Sequence, residues 1–206
     1  MPPNEVNASD PRVVRTRKLI QDAFTELLTS KDFEAITVQD ISGKATVNRA
    51  TFYAHYEDKY DLAENLVRER FKARLTAEVP VSSAVSEATL QTLIKTVLDY
   101  VAEAYGHCRL ERQFGALLES ALHDTLQDFI VDWLQRSASP ALSSRPAMDT
   151  AALVVSAALI RAGIRWCRAG QKERSSELAR QVVAVLGPGV IGPARTASPR
   201  LAAVTR

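Results

Sequence analysis

Residues 37–62 read TVQDISGKATVNRATFYAHYEDKYDL, and this stretch decides the fold. Thr37 is a good N-cap, and Asp40 three residues on has the spacing of a capping box. Val38, Ile41 and Ala45 then make one apolar stripe, which predicts a short helix. The pattern breaks at Thr46-Val47. Asn48 is a second cap candidate, opening a helix that runs toward Tyr56. Asp58 is a third, with Lys59 in the next first turn and Asp61 three residues on. Two helices joined by a three- to four-residue turn are a helix-turn-helix.

The second of these helices is polar for a core element. Phe52, with Val47 before it, is core-like, whereas Asn48, Arg49, Thr51, Tyr53 and His55 are polar or amphipathic. Donors, hydroxyls and a cation on an outward face suit a DNA major groove. An ordinary solvated helix in a bundle is the competing reading.

At these residues the sequence resembles the TetR/AcrR family of bacterial transcriptional regulators. The resemblance is carried by Thr37, Ile41, Ala45, Val47, Phe52, Tyr53, His55, Lys59 and Leu62, with Tyr56 in an aromatic slot. It extends weakly upstream to about Arg12, and beyond about Leu75 it is one of helical architecture only. Three residues depart from the pattern: Ser42 at a small-residue position, Thr46 for the turn glycine and Asn48 for a serine. A threonine at positive φ is strained, so either the turn geometry shifts or a small cost is borne there. Gly43 inside the first short helix should weaken it by about 1 kcal/mol relative to alanine.

The resemblance implies a set of DNA contacts at matching positions. Thr37 caps its helix and offers a group to phosphate. Asn48, Arg49 and Thr51 face base edges, Arg49 being able to bind guanine in bidentate fashion. Tyr53, His55 and Lys59 position the backbone, although His55 could instead be structural. Upstream, Arg12, Arg15, Arg17 and Lys18 cluster in the first turns of a helix opened by Asp10-Pro11. Cations there oppose the helix dipole. A nearby phosphate backbone accounts for them, with Arg15 and Arg17 the chosen contacts, and a solvated basic turn is the alternative.

Composition is that of a soluble all-α chain: 46% of the residues are hydrophobic and 24% charged. The net charge of +2 means that DNA affinity must come from local placement. Cys108 and Cys167 are too few for a disulfide framework. Buried small residues explain them better than a redox switch. The N-terminus lacks a signal-peptide pattern, and the apolar run Ala151 to Ile160 is too short to cross a bilayer. The expected location is the bacterial cytoplasm, with no membrane partner.

About nine helices are expected. Residues 1–9 form an arm expected to be disordered, 10–57 the DNA-binding head, and 58–78 a connecting helix. Residues 79–187 form an effector-binding and dimerisation body, and 188–206 a tail also expected to be disordered. Phe33 and Ile36 plug the junction behind the motif. In the body, helices are expected at Thr89–Tyr105, from Arg109 (a short one), and at Ala116–Ser137, Met148–Ala169 and Ser176–Leu186. The last ends at Gly187-Pro188. The eighth helix is apolar nearly all round, so a second copy should cover it, and helices eight and nine should pair as a four-helix bundle. The resemblance implies the same homodimer.

The functional expectation is a ligand-responsive regulator, more specifically a repressor, binding a near-palindromic double-stranded operator. An apolar small-molecule effector could be lined by Tyr100, Tyr105, Phe114, Trp133 and Trp166. A plain core explains each of those aromatics better. A regulator without an effector and a helical protein-interaction module are the alternatives. No catalytic constellation, metal-ligand spacing or phosphate loop is evident, so neither an enzyme nor a cofactor is expected.

Overall fold

A computed structural model describes residues 10–106, 111–137 and 145–191. Within them the chain is helical, without strands. The elements are α1 (Pro11–Ser30), a 3-10 turn (Phe33–Ala35), α2 (Val38–Ala45), α3 (Arg49–Tyr53), α4 (Lys59–Glu78), α5 (Glu87–Gly106), α6 (Glu111–Arg136), α7 (Arg145–Arg168) and α8 (Ser175–Ile191). The expectations for residues 1–9, His107, Cys108, the helix start at Arg109 and the tail beyond Ile191 fall outside the described residues, as does the side chain of Phe114.

Local chemistry sets the starts of the head helices. Asp10 accepts from the Arg12 amide at 2.8 Å, with Pro11 in the first turn of α1. Asp58 accepts from the amides of Tyr60 and Asp61 at 2.7 and 2.8 Å. Ser86 and Thr89 form a reciprocal pair at the start of α5, each side-chain oxygen accepting from the other's amide. This moves the start of α5 to Glu87, two residues earlier than expected.

One apolar core runs through the chain. In the head it holds Ile20, Phe24, Phe33, Ile36, Ile41, Phe52 and Tyr56. Leu62, Leu66, Phe71 and Leu75 carry it along α4 into the body. There α5 supplies Leu93, Ile94, Val97 and Val101, α6 supplies Leu122, Leu126, Ile130 and Trp133, and α7 supplies Val155, Leu159 and Ile164. Helix α4 packs on α6 and α5, α7 on α6 and α5, and α8 on α5. Gly163 permits the close approach of α7 to α5: a β-carbon there would lie 3.2 Å from Val101.

Three expectations change. The short helix near Arg109 and the longer one from Ala116 are replaced by a single α6 from Glu111, so eight α-helices are described where nine were expected. Glu111, Arg112 and Gln113 are good helix formers, and Gly115 alone does not break the helix. Secondly, α8 passes through Gly187-Pro188 to Ile191. Buried Val190 anchors this extra turn, outweighing the hydrogen bond that Pro188 forfeits. Thirdly, Pro146–Arg168 is long and apolar enough by composition to cross a bilayer, with a mean hydropathy of 1.5 in its best window. The run from Ala151 understated this because small residues beyond it also count. Ala152, Val155, Leu159, Ile160 and Ile164 of that helix are buried in the core.

Candidate nucleic-acid interface

The start of α2 is locked by the expected capping box. Thr37 Oγ1 accepts from the Asp40 amide at 3.1 Å, and Asp40 Oδ2 accepts from the Thr37 amide at 2.9 Å. The hydrogen bond from Lys31 holds the Asp40 carboxyl down to about 2, and the Thr37 amide and hydroxyl act in the same direction. Thr37 itself is exposed.

Helix α2 ends on Thr46, whose φ of 57° lies in the left-handed region. Its amide and that of Val47 turn back to the carbonyls of Gly43 and Ser42 at 3.2 and 3.0 Å. This is the helix stop usually given to glycine. The strain anticipated from the sequence is therefore present. Ser42 sits 3% exposed behind the turn, and its hydroxyl has no hydrogen-bond partner among the described residues.

Asn48 then caps α3, accepting from the Thr51 amide at 2.7 Å and the Thr51 hydroxyl at 3.0 Å. Only one side of this five-residue helix enters the core, through fully buried Phe52. Asn48, Arg49, Ala50, Tyr53 and Ala54 are exposed. Tyr53 is 50% exposed and rests edge-on against Phe52, with ring centres 5.5 Å apart. Arg49 has no ion-pair partner among the described residues. The exposed face thus presents an unpaired guanidinium, an amide and a phenol, while Thr51 spends its hydroxyl proton on the cap.

His55 is half-buried, its imidazole pKa lowered by burial and then by the nearby charge of Arg17. The neutral ring is favoured, so His55 serves as a hydrogen-bonding group better than as a cation.

Two expected phosphate contacts are committed inside the protein. Arg17 donates to Glu69 at 2.8 Å, and its guanidinium lies 5.0 Å over the Tyr56 ring. Lys59 donates its ammonium protons to the carbonyls of Phe33, Glu34 and Ile36 at 3.0, 3.1 and 3.1 Å. Its side chain is only 14% exposed. Lys59 therefore fastens α4 to the 3-10 turn. Arg12, Arg15 and Lys18 remain exposed and have no ion-pair partner among the described residues. Ala50 and Ala54 complete the exposed face; lacking polar groups, they gave no signal in the sequence.

Among the described residues, the aromatic side chains expected to line an effector site do not converge. Trp133 is buried and donates to the Ser83 carbonyl at 2.8 Å. Trp166 donates to the Glu173 carbonyl at 3.0 Å, near the far end of α7. The Tyr100 hydroxyl reaches the Val67 carbonyl at 3.3 Å, and its ring lies 4.7 Å from that of Phe71. Burial pushes the Tyr100 phenol up to about 12. Tyr105 packs half-buried on the core. These contacts are those of core residues, and Tyr100, Trp133 and Trp166 point to different partners.

Residues 20–66 match the family model described as bacterial regulatory proteins, tetR family. The match places a TetR-type DNA-binding head in that stretch. The head is 40% identical over 76 residues to the uncharacterized HTH-type transcriptional regulator YxbF of Bacillus subtilis (strain 168). That match covers 36% of this chain and 20% of YxbF. A second relative from the same strain, the uncharacterized HTH-type transcriptional regulator YvkB, is 36% identical over 59 residues, covering 29% of this chain and 31% of that protein. The chain thus spans less than a third of the length of either in these matches. A likeness of fold extends over more of the chain. The fatty acid degradation regulator FadR from Bacillus halodurans superposes with a TM-score of 0.55 at 18% identity, covering 85% of this chain and 96% of that one. The TetR family repressor AlkX from Dietzia sp. strain DQ12-45-1b, implicated in biodegradation of n-alkanes, gives 0.55 at 19% identity, covering 84% and 97%. At these identities the likeness is one of fold.

Proposed function

We propose that this protein is a DNA-binding transcriptional regulator of the TetR family, a repressor, acting in the bacterial cytoplasm. The observation that carries this reading is the outward face of α3. Asn48, Arg49 and Tyr53 stand in solvent while Phe52 fixes the helix from behind. Such a helix can enter a major groove with Arg49 toward guanine. Thr37, Thr51, His55 and Arg15 flank it as further contacts. Arg17 and Lys59 support the head from inside.

The operator is near-palindromic in this reading because the protein works as a homodimer. Support comes from α7 and α8, the eighth and ninth of the expected series. Leu153, Val154 and Val185 are 49%, 54% and 78% exposed. Beside them lies an open apolar cleft of about 580 Å³ that includes Ala151, Val154, Leu186 and Val190. A second copy would cover this face and set two α3 helices about 34–36 Å apart, one turn of DNA. The division of labour is a head at 10–57, a connecting helix at 58–78 and a body from residue 79 into α8.

For the effector, FadR and AlkX are named for fatty acid and n-alkane degradation, which favours an apolar ligand class. A second reading, regulation without a small-molecule effector, is favoured by the filled body core. Trp133, Leu122, Leu126, Val97 and Leu159 are each 1% exposed or less.

Selection from a random duplex library with the full chain tests the main reading. Enrichment of an inverted repeat is expected. Arg49→Ala should lose about 1–3 kcal/mol of base discrimination. Arg15→Ala should weaken all sequences alike and flatten the salt dependence. Absence of any enriched sequence would overturn the reading. Adding a long-chain fatty acid to the selected complex separates the two effector readings: release of the duplex supports the first, and unchanged binding the second.

A further inference from the structure

Arg68 and Glu69 are neighbours on α4, and their side chains are held in different directions. Arg68 donates to Asp124 of α6 at 2.9 Å and, through two nitrogens, to Glu64 at 3.0 and 2.7 Å. Glu69 faces α1. One of its oxygens accepts from Arg17 at 2.8 Å and the other from Gln21 at 2.7 Å. Both donors also engage Tyr56. Gln21 reaches the Tyr56 hydroxyl at 3.2 Å, and Arg17 covers the ring. Tyr56 is 2% exposed, directly follows His55, and binds the Phe52 carbonyl through its amide at 3.0 Å.

We propose that Glu69 and Asp124 are positioning residues for the reading segment from Arg49 to His55. Glu69 acts through Arg17, Gln21 and Tyr56, and Asp124 acts through Arg68 on the same turn of α4. The inference rests on the DNA-binding reading above. It adds that two carboxylates remote from the exposed face of α3 set how that face is held.

Bulk stability is a poor gauge of this clamp, because exposed ion pairs contribute about 0–1 kcal/mol each. Its weight lies in geometry. The two oxygens of Glu69 fix two side chains of α1 at once, and both of those side chains bear on a single buried ring. A displacement of α6 relative to α4 pulls on Arg68, and the next residue carries it to the head. Spatial succession is not coupling, so a double-mutant cycle is the appropriate test.

The full chain is prepared as wild type, Glu69→Ala, Asp124→Ala and the double variant. His55 is followed by NMR titration of its imidazole, since Arg17 stands close enough to influence it. Binding is measured to the duplex that wild type enriches from a random library. The His55 midpoint is expected to move in the same direction in both single variants. Duplex affinity should fall about fivefold in each, and the double variant should be no weaker than the worse single one. Thermal midpoints should stay close to wild type. An unmoved His55 midpoint in Asp124→Ala, or single effects that simply multiply in the double variant, would overturn the proposal. If wild type enriches no duplex, the DNA-binding reading falls, and the His55 midpoint still decides whether the clamp exists.

Discussion

The ammonium of Lys59 lies 4.7 Å from the centre of the Phe33 ring and donates to the carbonyl of Phe33 at 3.0 Å. Two more carbonyls, of Glu34 and Ile36, accept from it, and the Glu34 carboxylate lies 3.7 Å away. A residue that the family resemblance assigns to phosphate has its ammonium on carbonyls of the segment ahead of α2, and so fastens α4 to that segment. Lys59→Met should therefore lower head stability by about 2 kcal/mol, the scale of hydrogen bonds to a charged group. Urea unfolding would measure it. The salt dependence of DNA binding should not change, and a slope reduced by one counterion would return Lys59 to the DNA.

Gly43 and Thr46 are each in the other's preferred place. Gly43 occupies an exposed helical position with open space around it, whereas Thr46 takes the left-handed turn. Gly43→Ala is expected to stabilise by about 1 kcal/mol. Thr46→Gly should add up to about 1 kcal/mol by relieving the backbone strain. Higher denaturation midpoints at unchanged slope are the expected result for both.

Ser42→Ala should also stabilise the head. The Ser42 hydroxyl is buried without a partner among the described residues, and such a group costs about 1–3 kcal/mol. A fall in stability would show that the hydroxyl is satisfied in solution.

The Asp40 carboxyl sits at about 2, below its ordinary value of 3.8. Its folded pKa is depressed, so its contribution is fully present above pH 4 or so and lost as pH falls through about 2. His55 is also depressed in the fold, below 6.5. For His55 the unfolded chain takes up its proton first, and the contribution is lost as pH falls from 6.5 through the lower folded value. Carboxyl and imidazole NMR titrations would check both. Lys31→Ala should move Asp40 upward, because Lys31 is the largest cause of its shift.

What the sequence made legible was short in range. The caps at Thr37, Asn48 and Asp58 and the strained turn at Thr46 each depend on residues within about four positions. Ile41, Ala45 and Phe52 were likewise legible as core, and all three are buried. The fates of the cations were not legible. Arg17 meets Glu69 across 52 positions, and Lys59 meets its carbonyls across 23 to 26. No periodicity records such pairings. Helix ends suffered for a related reason: at Gly115 and Pro188 the local breaker loses to tertiary packing and to the helix formers beside it.

The shortness of α3 has an evolutionary side. Its hold on the rest of the protein is concentrated in Phe52, with the cap supplied by Asn48. Arg49 and Ala50 are exposed, and Tyr53 gives the interior only one edge contact with Phe52, so mutation can replace them at small cost to folding. Descendants of this gene could acquire a new address on the chromosome by changing three side chains, with the inherited scaffold left intact.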